Sequence, residues 1–504
     1  MAAVAKQDSN ITGLRYVREP LAGSSADVWI GAEPNSYKNF GGTYKLVARS
    51  PINASRQQKK GVVVDLDASG GFQSDLTYDN MQPWIEGLFF AAFRKKVELT
   101  VATVTASGEV YTVPSGGASY KAGDLAWAKG FDNPVNNGLK LISGSPGVTS
   151  VPTATGGLAD AATQTGIISR VGFQFAAGDL ELTDALTLHT TTKDFTQLGL
   201  IPGEWIYIGG DTAPMNFATA ANKGWARIVS IVAHDIVLDK TENTLIAETS
   251  GASAQTVQLF MGRVVKNELA ASDGGAGIVK IPFQFERTLG APDDGSSNVQ
   301  AEYLLKCLFN DLTLTINTAD KITWDTTLIA AGYETKAAGS QKAGTRPANT
   351  SGHAFNTTSH VRRFQLALVG TETPLFAYLS QGSLTFNNNI KPNKAVSVLG
   401  AFDQSAGDFA VGGTVEAYFN NVGAVAAIPD NSDCTLDLIM CQDNSGIAID
   451  LPLVGLGGGE MKIVANEPIL LPLTMDAATA AQNNANTNFT AIMSFFDYLP
   501  TAAM

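Results

Sequence analysis

Residues 61–96, GVVVDLDASGGFQSDLTYDNMQPWIEGLFFAAFRKK, combine strand, turn and helix signals in one short run. Val62, Val63 and Val64 are β-branched and predict a strand. The Gly- and Asp-containing cluster 67–71 that follows them has the composition of a turn. Residues 72–78 predict a second strand, so the first half of the run indicates a β-hairpin.

A helix is predicted after this hairpin, beginning at Asn80 or Gln82. Pro83 is compatible with the first turn because the N–H groups there have no partner within the helix. The basic residues 94–96 stand where cations stabilise a helix C-terminus. Apolar residues recur at helical spacing, and we expect this stripe to pack against a sheet: Trp84, Ile85, Leu88, Phe89 and Phe93.

The composition of the chain favours an all-β protein with a few short helices. Among 504 residues, 50 are glycine and only 16% are charged, which suits short strands joined by many turns. This length predicts more than one domain. The net charge of −13 argues against nucleic-acid recognition, which needs clustered Lys and Arg.

No leader or membrane-spanning segment is predicted, so we expect synthesis and folding in the cytosol. The three cysteines, Cys307, Cys434 and Cys441, are widely spaced and unlike a disulfide framework. We expect them to be buried thiols.

The search for catalytic and metal-binding motifs predicts no enzyme, no cofactor and no metal site. Asp65-x-Asp67-x-Ser69-Gly70 begins like a calcium-binding loop, but Leu76 stands where the loop needs a bidentate Glu. A hairpin turn is the favoured interpretation. The chain contains neither a P-loop nor a nucleophile elbow.

The polar and basic segment 50–60 has two open interpretations. It is either a solvated surface loop, which is the favoured interpretation, or an arm that touches a neighbouring subunit. In the second case the candidate inter-subunit contacts are Arg56, Gln57, Gln58, Lys59 and Lys60.

An internal repeat lies in the Gly- and Thr-rich middle of the chain. Residues 122–142 and 202–228 share a Gly-acid turn before one strand and an Asn-x-Gly turn before the next, which predicts two small β modules. Trp127, Trp205 and Trp225 recur in them. These rings could form a ligand-binding surface, although packing is favoured because aromatics supply much of the buried area in small β modules.

A linker is predicted at 333–359, where large apolar residues are almost absent. The residues beyond it predict a run of short strands, one of them at 396–402, and hence a β-sandwich or barrel. Residues 67–80 weakly resemble residues 403–420, which suggests a duplication.

Three stretches together resemble the tail tube proteins, or major tail proteins, of long non-contractile-tailed bacteriophages: residues 55–93, residues 200–231 and residues 382–421. The resemblance implies a β-sandwich or partly closed barrel with a flanking helix. It also implies a structural subunit that stacks as rings into a tube, a conduit for DNA ejection. Members with two such units in one chain form trimeric rings with pseudo-sixfold symmetry, and the suspected duplication favours that form here.

This resemblance gives a domain plan and a set of partners. The first tube domain would comprise 1–96 plus 266–332, and the second 360–504. Modules 97–180 and 181–265 would decorate the tube exterior. The implied partners are further copies of the chain and the tail tip, tape measure and tail terminator proteins, with DNA passing through the lumen without specific binding. The implied location is the virion tail, assembled in the host cytoplasm. The alternative is a carbohydrate- or receptor-binding β-rich fibre or surface module.

Overall fold

A computed structural model describes most of the chain and confirms the all-β class. The described residues are 12–19, 27–52, 54–94, 96–154, 157–162, 166–249, 255–267, 277–289, 299–337, 339–349, 352–370, 374–419, 422–480 and 488–504.

The strands fall into three groups along the chain. The first group precedes and includes the first helix: β1 (Gly13–Arg18), β2 (Ile30–Gly31), β3 (Ser36–Arg49), β4 (Lys59–Asp75) and α1 (Tyr78–Phe89). The second group forms the middle of the chain: β5 (Glu98–Thr100), β6 (Thr103–Thr105), β7 (Val110–Thr112), β8 (Asp124–Lys129), β9 (Gly138–Leu141), β10 (Ser150–Pro152), β11 (Ile167–Gln174), β12 (Glu181–Leu182), β13 (Thr187–His189), β14 (Trp205–Ile208), β15 (Gly224–Ile231), β16 (Asp235–Thr241) and β17 (Gln258–Met261). The third group runs to the C-terminus: β18 (Arg263–Lys266), β19 (Phe283–Leu289), β20 (Gln300–Asn317), β21 (Thr323–Ala330), β22 (Gly332–Lys336), β23 (Val361–Leu368), β24 (Leu379–Asn387), β25 (Lys391–Lys394), β26 (Ala401–Ser405), β27 (Ala410–Tyr418), α2 (Gly423–Ala426), β28 (Cys434–Gln442), β29 (Ser445–Gly458), β30 (Leu470–Ala478) and β31 (Ile492–Phe496).

The strand pairing of the main sheet occurs twice in the same chain order. One run of neighbours is β1, β19, β20, β21, β4 and β3. The other is β23, β28, β29, β30, β27 and β24. In each run a long hairpin is followed by a helix, and β20 pairs with β24 to join the two. This repeated pairing supports the predicted duplication, while the exact domain bounds stay a prediction.

The helix α1 begins earlier and ends earlier than predicted. Thr77 caps it, because its hydroxyl accepts from the backbone N–H of Asn80 while the Asn80 side chain accepts from the Thr77 N–H. Phe90 ends it in the left-handed conformation. Arg94 and Lys96 were therefore wrongly assigned to the helix C-terminus, and Phe93 also lies beyond the helix, while Lys95 is outside the described residues.

The apolar stripe of α1 packs into the core of the main sheet. Trp84, Ile85, Leu88 and Phe89 are buried, and Phe93 is partly buried against the same cluster. The Trp84 ring lies 4.5 Å from that of Trp324 on β21, between ring centres. Such buried aromatic contacts supply much of the stabilisation that holds a helix on a sheet.

The predicted hairpin turn at 67–71 is wrong, because these residues lie inside the continuous strand β4. The hairpin instead joins β3 to β4. Its glycines serve close packing: a Cβ on Gly70 would stand 2.7 Å from a Leu304 methyl, and one on Gly71 2.6 Å from the Thr326 carbonyl oxygen. Composition alone does not separate this use of glycine from a turn.

The middle group contains a ten-stranded sheet, here called the insert sheet, that crosses the predicted boundary at 180/181. The two echoed hairpins, β8–β9 and β14–β15, lie in it with β11 and β17 between them. The two halves share one sheet but bury separate apolar clusters, one within residues 101–168 and one within residues 173–261, so the division into two modules stays a prediction. Pairing of β11 with β17 lets each half complete the other.

The insert sheet docks on the second half of the main sheet through rings and buried charges. Trp205 and Trp225 are buried, and Trp225 lies 5.1 Å from Phe496 between ring centres. Asp450 on β29 accepts from the Trp205 indole at 3.0 Å and from Lys240 at 2.7 Å. This contact fixes the insert in place.

The described residues of the predicted linker, 333–337, 339–349 and 352–359, are attached to the first half of the chain by strand pairing, burial and ion pairs, unlike a free linker. Strand β22 pairs with β20, and Phe355 is fully buried. Arg346 forms an ion pair with the buried Glu286, with a shortest distance of 2.6 Å. Backbone pairing and ion pairs supply the attachment that this apolar-poor composition does not indicate.

Candidate assembly surfaces

The outer parts of β3 and β4, with their connection, form a two-stranded projection that we call the arm (residues 43–67, with residue 53 outside the described part). Beyond Ala68 the strand β4 loses its partner β21 and pairs only with β3. Isolated two-stranded ribbons are marginally stable in water. The arm therefore has the form of a segment that another surface completes.

The arm exposes apolar side chains, with Leu46 64% exposed and Ile52 fully exposed. Val62, Val63 and Val64 are about half exposed as well, on both faces of the ribbon. An apolar patch of this kind, outside any core, marks an interaction surface.

The arm is also basic. No acidic residue occurs between positions 35 and 64, whereas the whole chain carries a net charge of −13. The structure places all five predicted contact residues on the surface at the tip and outer strand of the arm: Arg56, Gln57, Gln58, Lys59 and Lys60. Residues 50–52 and 54–60 are thus the exposed tip of the projection, and their contact with a neighbouring subunit stays a prediction.

A second hairpin, β25–β26, lies beside the base of the arm. Lys394 pairs with both Asp65 and Asp67, and the hydrogen bonds to these carboxylates raise the pKa of Lys394. The two aspartates of the candidate calcium loop are thus ion-pair partners of a lysine. The strand predicted at 396–402 is wrong for most of its length, because only its last two residues belong to β26. The preceding loop and Phe402 expose apolar side chains instead, most of all Val396.

The far end of the main sheet, opposite the arm, is defined by strand register. Asp75 pairs with Thr323, and Gln381 with Asn317, at the end of the strands away from the arm. The Tyr418–Leu470 pair lies at the same end of β27 and β30. The arm and the β25–β26 hairpin thus leave one end of the sheet, and these residues mark the other.

The far end is apolar and acidic. Tyr378 is 76% exposed, and Tyr418, Val422, Ile463 and Val464 are exposed beside it. A cavity of about 490 Å³ opens here, with Phe364, Tyr378 and Leu379 among its lining residues. The exposed acidic side chains of the connecting segments are Asp430, Asp433, Glu460 and Glu467.

The sequence indicated the basic segment at the tip of the arm but neither the β25–β26 hairpin nor the far end. The signal for the far end was the pair Ile463–Val464 in a polar loop, and the signal for the second hairpin was the apolar run 396–399. An apolar run in a loop has the same composition as a short strand. Sequence alone does not show that its side chains are exposed.

Three observations bear on chemistry. In the described ranges, no group of three or more His, Cys, Asp or Glu side chains is arranged to hold a metal ion. The three cysteines are free and buried. No helix within the described residues has the length and apolarity to span a membrane.

Comparison with known proteins gives one match. A family model described as "Phage tail tube protein" matches residues 9–477, which is most of the chain. No curated protein matches the chain significantly.

Proposed function

The chain belongs to the family of phage tail tube proteins, structural components of the virion tail, and from that premise we propose that it polymerises head to tail into the tube that conducts DNA into the host. The observation that carries the proposal is that the sheet has a basic, apolar arm at one end and an acidic, apolar surface at the other. Two different surfaces that fit each other give a heterologous contact, which repeats along an axis without closing.

Apolar burial supplies the main drive for this contact. The arm leaves Leu46 and Ile52 in water, and the far end leaves Tyr378 and Ile463 there. Covering such side chains stabilises a contact by roughly 1.5–3 kcal/mol each when burial is complete. Opposite charge at the two surfaces adds orientation, since like-charged ends would repel.

Deletion of residues 53–60 tests the arm. We expect folded subunits, because residues 54–60 are exposed and lie outside the core. We expect these subunits to fail to form tubes in negative-stain micrographs. Tubes of normal length from this deletion would contradict the proposal.

Charge reversal tests the pairing of the two ends. The change Lys59→Glu with Lys60→Glu should block tube growth, and adding Glu460→Lys with Glu467→Lys should restore part of it. The matched control is Lys121→Glu with Lys129→Glu, which reverses two exposed lysines on the insert, outside the arm, the β25–β26 hairpin and the far end. Equal loss of tubes in the control, or no recovery in the fourfold variant, would argue against head-to-tail pairing of these surfaces.

The repeated strand pairing supports a trimeric ring with pseudo-sixfold symmetry, since each chain would supply two similar units. In this arrangement the insert sheet decorates the exterior. The acidic chain suits a lumen through which a polyanion slides without binding. We further propose assembly in the host cytoplasm, nucleated by the tail tip around the tape measure and ended by the tail terminator.

The alternative of a glycan-binding fibre has less support. The ligand face of such a fibre would consist of Trp127, Trp205 and Trp225. The rings of Trp205 and Trp225, however, are buried against the main sheet. Trp127 stacks on Tyr498 at 4.8 Å between ring centres.

A further inference from the structure

The two runs of strands in the main sheet differ in one strand pairing. In the first run β20 is the third strand and β3 is the sixth, while in the second run β29 is the third and β24 is the sixth. Within the chain, the third strand of the first run pairs with the sixth strand of the second, through residues 311–317 and 381–387. Among the described residues, β29 and β3 have no such pairing.

The third strands, β20 and β29, have corresponding neighbours along most of their length. The first part of β20 lies between β19 and β22, and the first part of β29 lies between β28 and β31. The last part of β20 lies between β21 and β24, whereas residues 455–458 of β29 pair only with β30. The edge that β24 covers on β20 is therefore open on β29.

The open edge of β29 continues past the end of the strand. Gly458 and Gly459 have positive φ, which ends β29, but the Lys462 N–H donates to the Leu470 carbonyl oxygen at 2.8 Å, so the chain stays beside β30. A Cβ on Gly455 would meet only the Asp476 carbonyl oxygen, at an ordinary 3.8 Å. Glycine within a strand often marks the close approach of another backbone, and the described part of this chain supplies none at Gly455.

The open edge of β3 lies in the body of the main sheet, at residues 36–42, before the arm begins. Here β4 has β21 on its other side, so β3 is the last strand of a full sheet. A bulge between Lys38 and Gly41 divides this edge, whereas the corresponding stretch of β24 is regular. Pairing with another strand would therefore occur on both sides of the bulge. An open edge of this kind is a ready site for a strand of another chain.

We propose that the ring closes by antiparallel strand pairing between residues 455–462 of one chain and residues 36–42 of the next. This inference rests on the proposed tube function and adds which edges meet. All six positions of a trimer then have the same contact, third strand to sixth strand, three times within chains and three times between them. Because the contact joins two different edges, it repeats around an axis until the ring closes, and closure covers both open edges.

Strand register identifies two residues that should face each other across this contact. Thr315 lies opposite Ser383 where β20 pairs with β24. Counted along the pairings with β21, β30, β4 and β27, Lys462 corresponds to Thr315 and Lys38 corresponds to Ser383. Lys462 of one chain should therefore lie opposite Lys38 of the next. Each lysine has an acidic partner within its own chain, so the two do not meet as unpaired like charges.

A disulfide between chains tests this register, in the full-length variant Lys38→Cys with Lys462→Cys. Both lysine side chains are about half exposed, so the variant should fold and form tubes under reducing conditions. Directly opposite residues of an antiparallel pair have the Cα separation that a disulfide requires, and the three native cysteines are buried. After oxidation of the tubes we expect covalent products of two and three chains on a non-reducing denaturing gel. Neither single variant should give any, because the contact joins two different edges.

Two double variants are the controls. Thr315→Cys with Ser383→Cys places the corresponding pair within one chain, so it should oxidise without joining chains. Lys38→Cys with Lys121→Cys keeps one site and moves the other to an exposed position on the insert, so it should give no product between chains.

The possible outcomes separate this contact from the tube function. If tubes form normally but no chains are joined, while the control within one chain oxidises, the contact is overturned and the tube function is not. Products of more than three chains, or an equal yield from the variant with Lys121→Cys, would also overturn the contact. If the parent protein forms neither rings nor tubes, the proposed function fails, and the contact fails with it.

Discussion

At the scale of single residues, Asp450 shows how the insert is held. Burial raises the free energy of its charged form, but Arg227 and Lys240 outweigh this cost, so the pKa of Asp450 lies below its ordinary value. The carboxylate accepts from Arg227 at 2.9 Å and from Lys240 at 2.7 Å. A buried ion pair adds little stability over an apolar core, but loss of one partner leaves an uncompensated charge.

Lys240→Met should therefore destabilise the folded protein by about 3–5 kcal/mol. Because the folded pKa of Asp450 is lowered, its contribution is present above its unfolded pKa of about 4 and is lost as pH falls through the folded pKa. Loss of Lys240 raises that folded pKa, so acid unfolding should begin at a higher pH. Denaturant titrations across pH measure both effects.

The half-buried Lys223, the residue directly before β15, supplies the control. Lys223→Met should change the unfolding free energy by no more than about 0.5 kcal/mol. It should not change the pH at which acid unfolding begins. If Lys240→Met lowers the free energy of unfolding by no more than this, and acid unfolding begins at the same pH as in the parent, the ion pairs of Asp450 do not hold the insert in place.

Leu88 and Leu46 separate folding from assembly, since one is buried in the core and the other is exposed on the arm. Leu88→Asp should prevent folding, because an unpaired charge cannot be accommodated in the core. Leu46→Asp should leave the circular dichroism spectrum and melting unchanged but block tubes. If Leu46→Asp forms normal tubes, the arm surface is not buried in a contact between subunits.

At the scale of elements, hydrophobic periodicity predicted α1 because the stripe from Trp84 to Phe89 depends on local sequence alone. The bounds were missed because Thr77 and Phe90, which cap the helix, do not belong to that stripe. The long strand β4 was missed because Gly70 and Gly71 have turn composition. Their purpose depends on Leu304 and Thr326, which are distant in sequence.

The assembly surfaces were predictable only in part, for the same reason. Arg56 to Lys60 form a local basic run that sequence displays. The far end gathers Tyr378, Val422 and Ile463 from three connections, and only strand register brings them to one end of the sheet. No local pattern contains that information.

Lys394→Met should loosen the arm without weakening the core. Lys394 joins Asp65 and Asp67 at a largely exposed site, where ion pairs add little to the stability of the whole fold. We expect faster amide hydrogen exchange in residues 59–67 and unchanged exchange in β20. Lys391→Met on the same hairpin is the control, and faster exchange there as well would assign the effect to the hairpin, not to the ion pairs.

At the scale of the whole molecule, the duplication is far clearer in strand pairing than in sequence. The two sets of six strands share order and neighbours, yet their sequences share only the weak likeness between 67–80 and 403–420. Pairing order depends on backbone topology, which many sequences satisfy. The insert obscures the likeness further, because it separates α1 from β19, whereas a short connection joins α2 to β28.

Ring stoichiometry tests this duplication directly. If each chain supplies two of six similar positions, a ring contains three chains, and its native mass should be three times the chain mass of 52.9 kDa. Rings released from tubes, or held back from stacking by the 53–60 deletion, are suited to native mass spectrometry. A ring of six chains would mean that the two halves of each chain do not occupy equivalent positions in the ring. The pairing of β20 with β24 would then occur only within a chain, and no similar strand pairing would join neighbouring chains. In a trimer, a strand pairing similar to that of β20 with β24 should join neighbouring chains. Micrographs of the ring viewed down its axis should therefore show six similar sheet segments and three larger outer lobes, one from each insert sheet.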